Sequence, residues 1–371
     1  MIAGAFAMLL IAGMTFAAPV NALGNSIYRI TGNNIPNDAG DGGFAINAQV
    51  ELPDGLAFDD LGDLYIADPE AAVIRKIDVL GIITTVAGNG SKAYSGDGGA
   101  AISASLYWPE AVAYRDGYLY IADLGNNRVR RVNLATGIID TFAGNGIQGF
   151  SGDGGRATSA QLKFPAALAF NANGVLYIAD AGNQRVREVD LDGIISTVAG
   201  NGAEGSGGND IPATSSALAD PSGLAVNPRN GNLYIADTAE DTVRYIDSAG
   251  YIHIAAGTAN VKGHAGNGGL AASALLNEPH NLAFDSAGNL YIADTQNSQI
   301  RKVDGKGNIW LVAGLASAAD GYNGGDGSSA TAAQLHFPTG VAVSPVGDVF
   351  LSDTFNFMVR KVGLLPGILM P

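Results

Sequence analysis

A four-residue motif, Tyr-Ile-Ala-Asp, recurs along this chain and constrains its fold more than any other feature. Five copies and a sixth variant, Phe350-Leu351-Ser352-Asp353, place their aspartates 55, 57, 57, 57 and 59 residues apart. The motifs end at Asp68, Asp123, Asp180, Asp237, Asp294 and Asp353. A proline marks one phase of every copy, at Pro53, Pro109, Pro165, Pro221, Pro279 and Pro338. Self-similarity at one period identifies a repeat architecture, so counting domains from the length of 371 residues would mislead.

Each repeat contains four short β-type runs separated by Gly, Asn and Asp turns. Four strands per repeat form the blade of a β-propeller, and an open solenoid is the competing architecture. The chain ends favour the closed ring. The sixth copy lacks its fourth strand, and residues 26–31 match that strand in phase. We predict an all-β, six-bladed propeller with four-stranded blades, closed by the N-terminal strand 26–31, which completes the last blade.

The apolar run at residues 2–20 precedes the repeats and ends in the small-residue pattern Val20-Asn21-Ala22. It predicts a signal peptide at 1–22, although no Lys or Arg precedes the run, and a retained anchor is the alternative. The run is short and contains Gly13 and Pro19. We therefore expect a mature chain 23–371 that is a single propeller, secreted or periplasmic, with no stable membrane insertion.

Charge and cysteine content exclude several classes of function. Asp and Glu outnumber Lys and Arg by 35 to 20, giving a net charge of −15. This excess disfavours sequence-independent binding of nucleic acid or of an anionic membrane. The chain has no cysteine, so disulfides, thiolate nucleophiles and Cys-ligated metals are excluded.

The repeat pattern resembles the NHL repeat across residues 26–362. The resemblance rests on Pro-x-Gly-Leu-Ala-Phe, then Gly-Asp-Leu-Tyr-Ile-Ala-Asp, then Asn-Asn-Arg-Val-Arg-Arg-Val. The Gly-Asp-Gly-Gly loops are similar to those of bacterial exported and teneurin-type members. The resemblance implies a β-propeller. It implies function only weakly, because the family includes binding domains, exported proteins of unknown role and a zinc-dependent amidating lyase.

Two sets of repeated polar residues are predicted to be structural. An arginine follows each strand-end aspartate by seven positions and alternates with apolar residues, which predicts a buried Asp–Arg pair in every blade. A second set stands in Gly-Asp-Gly loops, twelve residues before the proline. Its members are Asp41, Asp97, Asp153 and Asp326. They are the weaker metal candidates, as a calcium ring. We favour instead a role in capping the short Ala-rich segment that follows each of them.

The copies differ most at the position after each proline, where the innermost strand reaches the mouth of the central channel. Around the ring these positions hold Asp54, Glu110, Ala166, Ser222, His280 and Thr339. Asp54, Glu110 and His280 are the best candidate site, because two carboxylates and an imidazole could hold a divalent cation or act as a general acid/base pair. The alternative is that an exposed mouth tolerates any polar residue.

The loops that lead into the prolines should form one face of the ring, here termed the loop-rich face. Its aromatic residues are Tyr94, Tyr107, Trp108, Phe150, Phe164, Tyr322 and Phe337. Exposed aromatic residues beside acidic turns are typical of contact surfaces. We interpret the chain as a monomeric, non-enzymatic scaffold that binds a protein or a glycan and needs no cofactor, with calcium or zinc left open. The alternative is a metal-dependent propeller lyase or lactonase using Glu110, His280 and Asp54. A single histidine among the strand starts argues against the amidating lyase activity.

Overall fold

The structure, a computed structural model, describes residues 25–315 and 325–363. Within these ranges the chain forms six antiparallel sheets, one for each repeat, and the predicted six-bladed all-β propeller is confirmed. The proposed signal peptide 1–22 lies outside the described residues. No helix in the described part of the chain has the length and apolar character needed to cross a membrane.

The strands are numbered along the chain, and the first, β1 (Ser26–Thr31), belongs to the last blade. Blade 1 consists of β2 (Leu56–Phe58), β3 (Leu64–Asp68), β4 (Val73–Ile77) and β5 (Ile83–Ala87). Blade 2 consists of β6 (Pro109–Arg115), β7 (Tyr118–Asp123), β8 (Arg128–Asn133) and β9 (Ile138–Ala143). Blade 3 consists of β10 (Gly155–Arg156), β11 (Pro165–Phe170), β12 (Leu176–Asp180), β13 (Arg185–Val189) and β14 (Ile194–Ala199). Blade 4 consists of β15 (Ile211–Pro212), β16 (Pro221–Val226), β17 (Leu233–Asp237), β18 (Thr242–Ile246) and β19 (Tyr251–Ala256). Blade 5 consists of β20 (Pro279–Phe284), β21 (Leu290–Asp294), β22 (Gln299–Val303) and β23 (Ile309–Ala313). Blade 6 consists of β24 (Pro338–Val343), β25 (Val349–Asp353), β26 (Met358–Gly363) and β1.

Short 3-10 turns connect some of the strands in the described ranges. One set precedes the inner strands, at Ala45–Asn47, Ala101–Ser103, Ala157–Ser159, Ala213–Ser215, Ala271–Ser273 and Ala330–Ala332. A second set follows the strand-end aspartates, at Leu124–Asn126, Ala181–Asn183, Thr238–Glu240, Thr295–Asn297 and Thr354–Asn356. The two-residue strands β10 and β15 are loop segments that add to the outer edges of blades 3 and 4.

The hydrophobic core is divided into six clusters, one between each pair of neighbouring blades. One of them joins the last blade to the first, through Val359 and Ala342 against Leu56 and Ile83. Strand β1 pairs antiparallel with β26, and its Ile27 is fully buried between blades 5 and 6. Apolar residues of both chain ends therefore contribute to the packing of the ring.

Buried arginines form a polar framework inside the blades, and the predicted pairing with the strand-end aspartate is observed in blades 2 to 6. In blade 1 the prediction is wrong, because Arg75 donates to Asp41 and to the carbonyl oxygen of Gln49. Arg130 donates to Asp123 at 3.3 Å, and both side chains are fully buried. Equivalent pairs join Arg187 to Asp180, Arg244 to Asp237, Arg301 to Asp294 and Arg360 to Asp353. The arrangement agrees with the rule that a buried guanidinium needs a carboxylate partner.

The capping role expected for the Gly-Asp-Gly aspartates is wrong. The 3-10 turns that follow these aspartates have no side-chain cap hydrogen bond. The carboxylates bind the arginine of the next blade, in the pairs Asp41–Arg75, Asp97–Arg130, Asp153–Arg187 and Asp326–Arg360. The physical reason is that a buried cation attracts a nearby carboxylate more strongly than the end of a one-turn helix does.

Candidate functional site at the channel mouth

In blades 2 to 6 a β-bulge at the start of the inner strand lies around the residue after the proline, whereas in blade 1 the strand begins only after Asp54. In β6, Pro109 pairs with Asp123 and Ala111 pairs with Ala122, so Glu110 is the extra residue of the bulge. In β20 the register shift falls between Pro279 and Leu282, around His280. Bulges of this kind re-aim a side chain and are common next to functional sites.

The strand-end aspartates hold the loops that lead into these bulges. Asp123 accepts the backbone N–H of Tyr107 at 2.8 Å, and Asp294 accepts that of Asn277 at the same distance. Asp68 accepts the N–H of Leu52 at 2.9 Å. Each proline lies one or two residues further on. The repeated framework of the blade therefore fixes the loop that carries the variable residue.

Glycines allow three of the inner strands to approach their neighbours closely. A Cβ atom on Gly55 would lie 2.7 Å from the carbonyl oxygen of Glu110. The same atom on Gly223 would lie 2.2 Å from the carbonyl oxygen of His280, and on Gly340 it would lie 2.1 Å from that of Asp54. These separations are too short for any side chain, so only glycine fits.

The glycine positions coincide with the sequence-predicted site. Each of the three glycines stands one blade before a candidate residue, against that residue's own backbone. In the other three blades the same phase holds a residue with a side chain, namely Ala111, Ala167 and Asn281. The close approach is therefore made at Asp54, Glu110 and His280.

The structure brings Asp54, Glu110 and His280 together at the channel mouth. Each offers one ligand atom, and these atoms all lie within 4.8 Å of one another. His280 Nε2 lies 3.5 Å from Glu110 Oε1, and the two side chains are 22% and 12% exposed. The narrow ring therefore leaves these polar groups only partly exposed.

The remaining ring positions support the three candidates. The hydroxyl of Thr339 shares a hydrogen bond with that of Thr354 at 2.7 Å. The hydroxyl of Ser222 donates to the carbonyl oxygen of His280 at 2.9 Å. Ala166 is buried and lines the same mouth. The small or hydroxylated residues leave the centre of the ring to the charged groups.

Burial and mutual charge shift the proton equilibria of the cluster. Burial raises the pKa of Asp54, and the charge of Glu110 adds to this, against the opposing effects of His280 and Thr339. Burial on its own would lower the pKa of His280. The hydrogen bond to Glu110 and the charge of Asp54 outweigh it and raise that pKa. The cluster thus favours a protonated imidazole between carboxylates, an arrangement able to donate or accept a proton.

Two polar atoms of the cluster are buried without a hydrogen-bond partner. They are Asp54 Oδ1 and His280 Nδ1. Unpartnered buried polar atoms are costly in a folded protein, so each calls for an explanation. A ligand or a cation seated in the mouth is one explanation that the geometry allows.

A cavity of about 580 Å³ opens above the cluster on the loop-rich face. Glu110 and His280 form part of its wall, together with Trp108 and Phe164. Among the described residues that line it, none is Lys or Arg. The cavity therefore combines aromatic surface with an excess of negative charge.

Two acidic residues of this cavity, Asp220 and Glu204, were missed by sequence reasoning. Burial raises the pKa of Asp220, and the nearby carboxylates, Glu110 first among them, add to the shift, against the effect of His280. Asp220 stands directly before Pro221, in the phase of Trp108 and Phe164. That position could have identified it. Glu204 lies in the fourth loop, which departs from the Gly-Asp-Gly pattern, and no sequence signal placed it at the mouth.

The aromatic residues of the loop-rich face fall into separate groups. Trp108 and Phe164 line the mouth cavity. Tyr94 and Phe150 instead lie against arginines, with Arg128 3.6 Å and Arg185 3.8 Å from their ring centroids. Phe337 packs against Phe355 and His336. Tyr322 lies outside the described residues. Of the described members of this set, Trp108 and Phe164 are those that line the mouth cavity.

Sequence comparison relates the chain to known proteins. The teneurin NHL domain matches residues 29–94 and 140–206, and the NHL repeat matches residues 276–303. The chain is 31% identical to Protein SUPPRESSOR OF QUENCHING 1, chloroplastic, of Arabidopsis thaliana, over 86% of its own length. It is 31% identical to mouse Teneurin-3 over 66% of its length, and 28% identical to bovine NHL repeat-containing protein 2 over 69%. It spans 31%, 10% and 39% of these three proteins respectively.

Solved structures share the fold at low sequence identity. A Bacteroides thetaiotaomicron protein of unknown function superposes with a TM-score of 0.68 at 19% identity, covering 91% of this chain and 76% of that one. An auxiliary nutrient binding protein from the same species superposes with a TM-score of 0.65 at 16% identity and the same coverage. A streptogramin B lyase superposes with a TM-score of 0.53 at 12% identity, covering 91% of this chain and 97% of the lyase. At these identities the likeness concerns the fold alone.

Proposed function

We propose, on the premise that this chain is an NHL-repeat β-propeller, that it is an exported binding protein whose loop-rich face engages a protein or a carbohydrate. In this proposal the propeller is a rigid scaffold that binds its partner without converting it. Export is supported by the apolar run at residues 2–20 and the small-residue pattern that follows it.

The mouth cavity is the single observation that carries the proposal. Its volume of about 580 Å³ lies within the range of ligand pockets in proteins. Its wall holds two aromatic side chains, Trp108 and Phe164, the latter 40% exposed. Both residues have positive φ angles, 54° and 51°, which is a strained backbone for bulky side chains. The same backbone recurs before the prolines of blades 4 to 6, at Asp220, Glu278 and Phe337, so it is a feature of the repeat that places this residue at the mouth.

The lining indicates the chemistry of the ligand. Carboxylates such as Glu110 and Asp220 accept hydrogen bonds and attract positive charge. The aromatic faces pack against flat apolar groups and against cations. A sugar offers hydroxyl donors and an apolar ring face, and a protein offers Lys or Arg side chains. Sugar hydroxyls and Lys or Arg side chains can each donate hydrogen bonds to the carboxylates of this cavity.

A binding screen tests this function and separates the two sources. The chain is titrated against a panel of oligosaccharides and a panel of basic peptides, and affinity is measured by calorimetry. We expect Trp108→Ala to weaken the best ligand at least tenfold, because an aromatic residue that becomes buried at a contact is a typical hot spot. Leu191→Ala is the matched control, since Leu191 is exposed and lies in the turn between β13 and β14, away from the mouth cavity. Equal loss in both variants, or no ligand in either panel, would reject the proposal.

A propeller lyase or lactonase is the second candidate, and the convergence of Asp54, Glu110 and His280 favours it. Histidine between two carboxylates is suited to move a proton during elimination or ring opening. The candidate predicts turnover of a lactone or of a substrate with an acidic C–H bond, abolished by His280→Ala with the fold intact. If the chain binds a ligand without converting it, and His280→Ala does not change that binding, the lyase or lactonase candidate is rejected and the binding scaffold remains.

A further inference from the structure

Three inner strands from three separate blades deliver the donors of a single small site. Asp54 comes from blade 1, Glu110 from blade 2 and His280 from blade 5, and their ligand atoms lie within 4.8 Å of one another. Two donors of one metal ion lie no more than about 4.4 Å apart, because each lies about 2.0–2.2 Å from the ion. His280 Nε2 and Glu110 Oε1, at 3.5 Å, are within this limit, and a side-chain movement of a few tenths of an ångström at most would bring Asp54 within it as well.

The backbone around these donors is built for close approach. The glycine facing each donor strand, at Gly55, Gly223 or Gly340, removes the side chain that would keep neighbouring strands apart. A glycine at this phase faces each of the three donors, and none faces the other three ring positions. The glycine belongs to the repeat motif Pro-x-Gly-Leu-Ala-Phe, and three blades replace it with a larger residue, but it is kept opposite each of the three donors.

The charges of the cluster are incompletely balanced. Two carboxylates face one imidazole, and the described lining of the adjoining cavity holds no Lys or Arg. Asp54 Oδ1 and His280 Nδ1 are buried without hydrogen-bond partners. Half-buried carboxylates normally have a cation or several donors beside them. A bound cation would supply the missing charge.

The donor types select the class of ion. An imidazole nitrogen with two carboxylates suits a divalent transition-metal ion such as Zn²⁺, whereas Ca²⁺ and Mg²⁺ prefer oxygen ligands alone. We infer that Asp54, Glu110 and His280 form a divalent transition-metal site at the channel mouth. Three protein ligands leave a further coordination position. Because Glu110 and His280 also form part of the wall of the mouth cavity, an oxygen donor of a ligand bound there would be close enough to complete the shell.

The competing arrangement is a metal-free ion triad, in which a protonated His280 is held between the two carboxylates. Both arrangements use the same side chains, so the distinction lies in metal binding itself. Zn²⁺ alone is therefore the probe, and the test needs no knowledge of the partner proposed above. Failure of the partner screen and failure of this test are separate results.

The experiment first removes metal from the full chain by exhaustive dialysis against a chelator and then adds Zn²⁺. We expect one Zn²⁺ to bind per chain, as measured by calorimetry and by elemental analysis of the reloaded protein. His280→Ala and Glu110→Gln should each weaken binding at least tenfold. His264→Ala is the matched control, because His264 is exposed and stands outside the cluster, and it should bind as the parent chain does. Urea unfolding of every variant shows whether the fold is kept.

Further measurements keep the proposal open to rejection if His280→Ala does not fold. Glu110→Gln keeps the shape of its side chain, and Co²⁺ reports nitrogen ligation through its visible spectrum. Loss of the Co²⁺ spectrum in Glu110→Gln supports the site. Zinc that is absent, that binds Glu110→Gln as tightly as the parent, or that millimolar Ca²⁺ displaces completely would overturn it.

Discussion

At the scale of single residues, the buried arginines show how one cation can serve two purposes. Arg130 is fully buried and contacts Asp123 within its own blade and Asp97 in the incoming loop. Two carboxylates around one guanidinium satisfy its charge and donors in a low-dielectric interior. The same residue therefore stabilises the blade and holds the loop that leads to the channel mouth.

Removal of this buried cation should be strongly destabilising. We predict that Arg130→Ala lowers the free energy of unfolding by about 3–5 kcal/mol, because it leaves buried carboxylate charge uncompensated. Its neighbour Arg131 is a control within the same strand. Arg131 pairs with Asp140 at the surface, so Arg131→Ala should cost about 0–1 kcal/mol. Urea unfolding measures both, and equal losses would contradict the account.

The pairing of these arginines was only half predictable from sequence. The seven-residue interval between Asp123 and Arg130 places both on neighbouring strands of one hairpin, so local periodicity was enough to predict that contact. Asp97 is 33 residues from Arg130, and its contact depends on how a loop folds back over the blade. Local propensity could not predict it and suggested a helix cap instead.

His253 gives a pH-dependent contribution to stability. Its Nδ1 lies 2.6 Å from Asp210 and its Nε2 lies 3.0 Å from Asp247, while its ring packs on Tyr245. The hydrogen bond to Asp247 is the main cause that raises the pKa of His253 above 6.5, and Asp210 adds to it. A histidine whose pKa is higher in the folded state than in the unfolded state stabilises the protein. This stabilisation is fully present at pH values below the unfolded-state pKa and is lost as the pH rises through the folded-state pKa.

The expected result is a stability difference that depends on pH. At about pH 6 the midpoint of urea unfolding should be higher for the parent chain than for His253→Gln. The difference between the two midpoints should shrink steadily as the pH is raised. His264→Gln, at an exposed loop position, should show no such trend. A difference for His253→Gln that stays constant from acid to alkaline pH would contradict the assignment.

At the scale of elements, the inner strands determine what the mouth can hold. The bulges and the facing glycines act together, because the first turns a side chain inward and the second narrows the ring. Gly223 is the case that concerns His280, since a Cβ atom on it would overlap the backbone of that residue.

Gly223→Ala should therefore affect stability and site together. We predict a loss of about 1–3 kcal/mol from overpacking, with weaker zinc binding because His280 is displaced. Gly305 is the control. It has ordinary φ and open space around it, so Gly305→Ala should be neutral or stabilise by about 0.4–1 kcal/mol. Urea unfolding and zinc calorimetry measure the two effects, and the same change in both variants would contradict this account.

The elements also show where prediction from sequence reaches the site. The proline phase was sufficient to align Asp54, Glu110 and His280 on one rim. It could not reveal the bulges, because a one-residue register shift depends on the pairing of two strands rather than on composition. For the same reason the half-burial of the cluster and the position of Asp220 in the cavity wall emerged only from the structure.

At the scale of the whole molecule, side chains as well as strands join the last blade to the first. The hydroxyl of Thr354 donates to the carbonyl oxygen of Pro53 at 2.9 Å. Thr238 and Thr295 make the same contact from blade 4 to blade 5 and from blade 5 to blade 6. Strand β1 adds the outer edge of blade 6. The contact between the last and the first blade thus uses the same threonine–proline hydrogen bond as the contacts between blades 4 and 5 and between blades 5 and 6.

Deletion of β1 tests the role of this strand. A chain that begins at residue 33 lacks Ser26–Thr31, exposes the edge of β26 and loses the buried Ile27. We predict lower stability by more than the roughly 2–5 kcal/mol that a large-to-small change at Ile27 alone would cost, together with aggregation through the free edge. A chain that begins at residue 25 is the control. Unfolding curves and light scattering that are equal for the two chains would contradict this role.

The central claim is that function is located at the channel mouth of the loop-rich face, where the blades differ. Hydrogen exchange with and without the best ligand of the screen tests it most directly, because it maps the contact without assuming any residue. The account predicts protection at the segments that carry Trp108, Glu110, Phe164 and Asp220. Protection confined to the turns of the opposite face, such as those around Leu61 and Leu191, would contradict it.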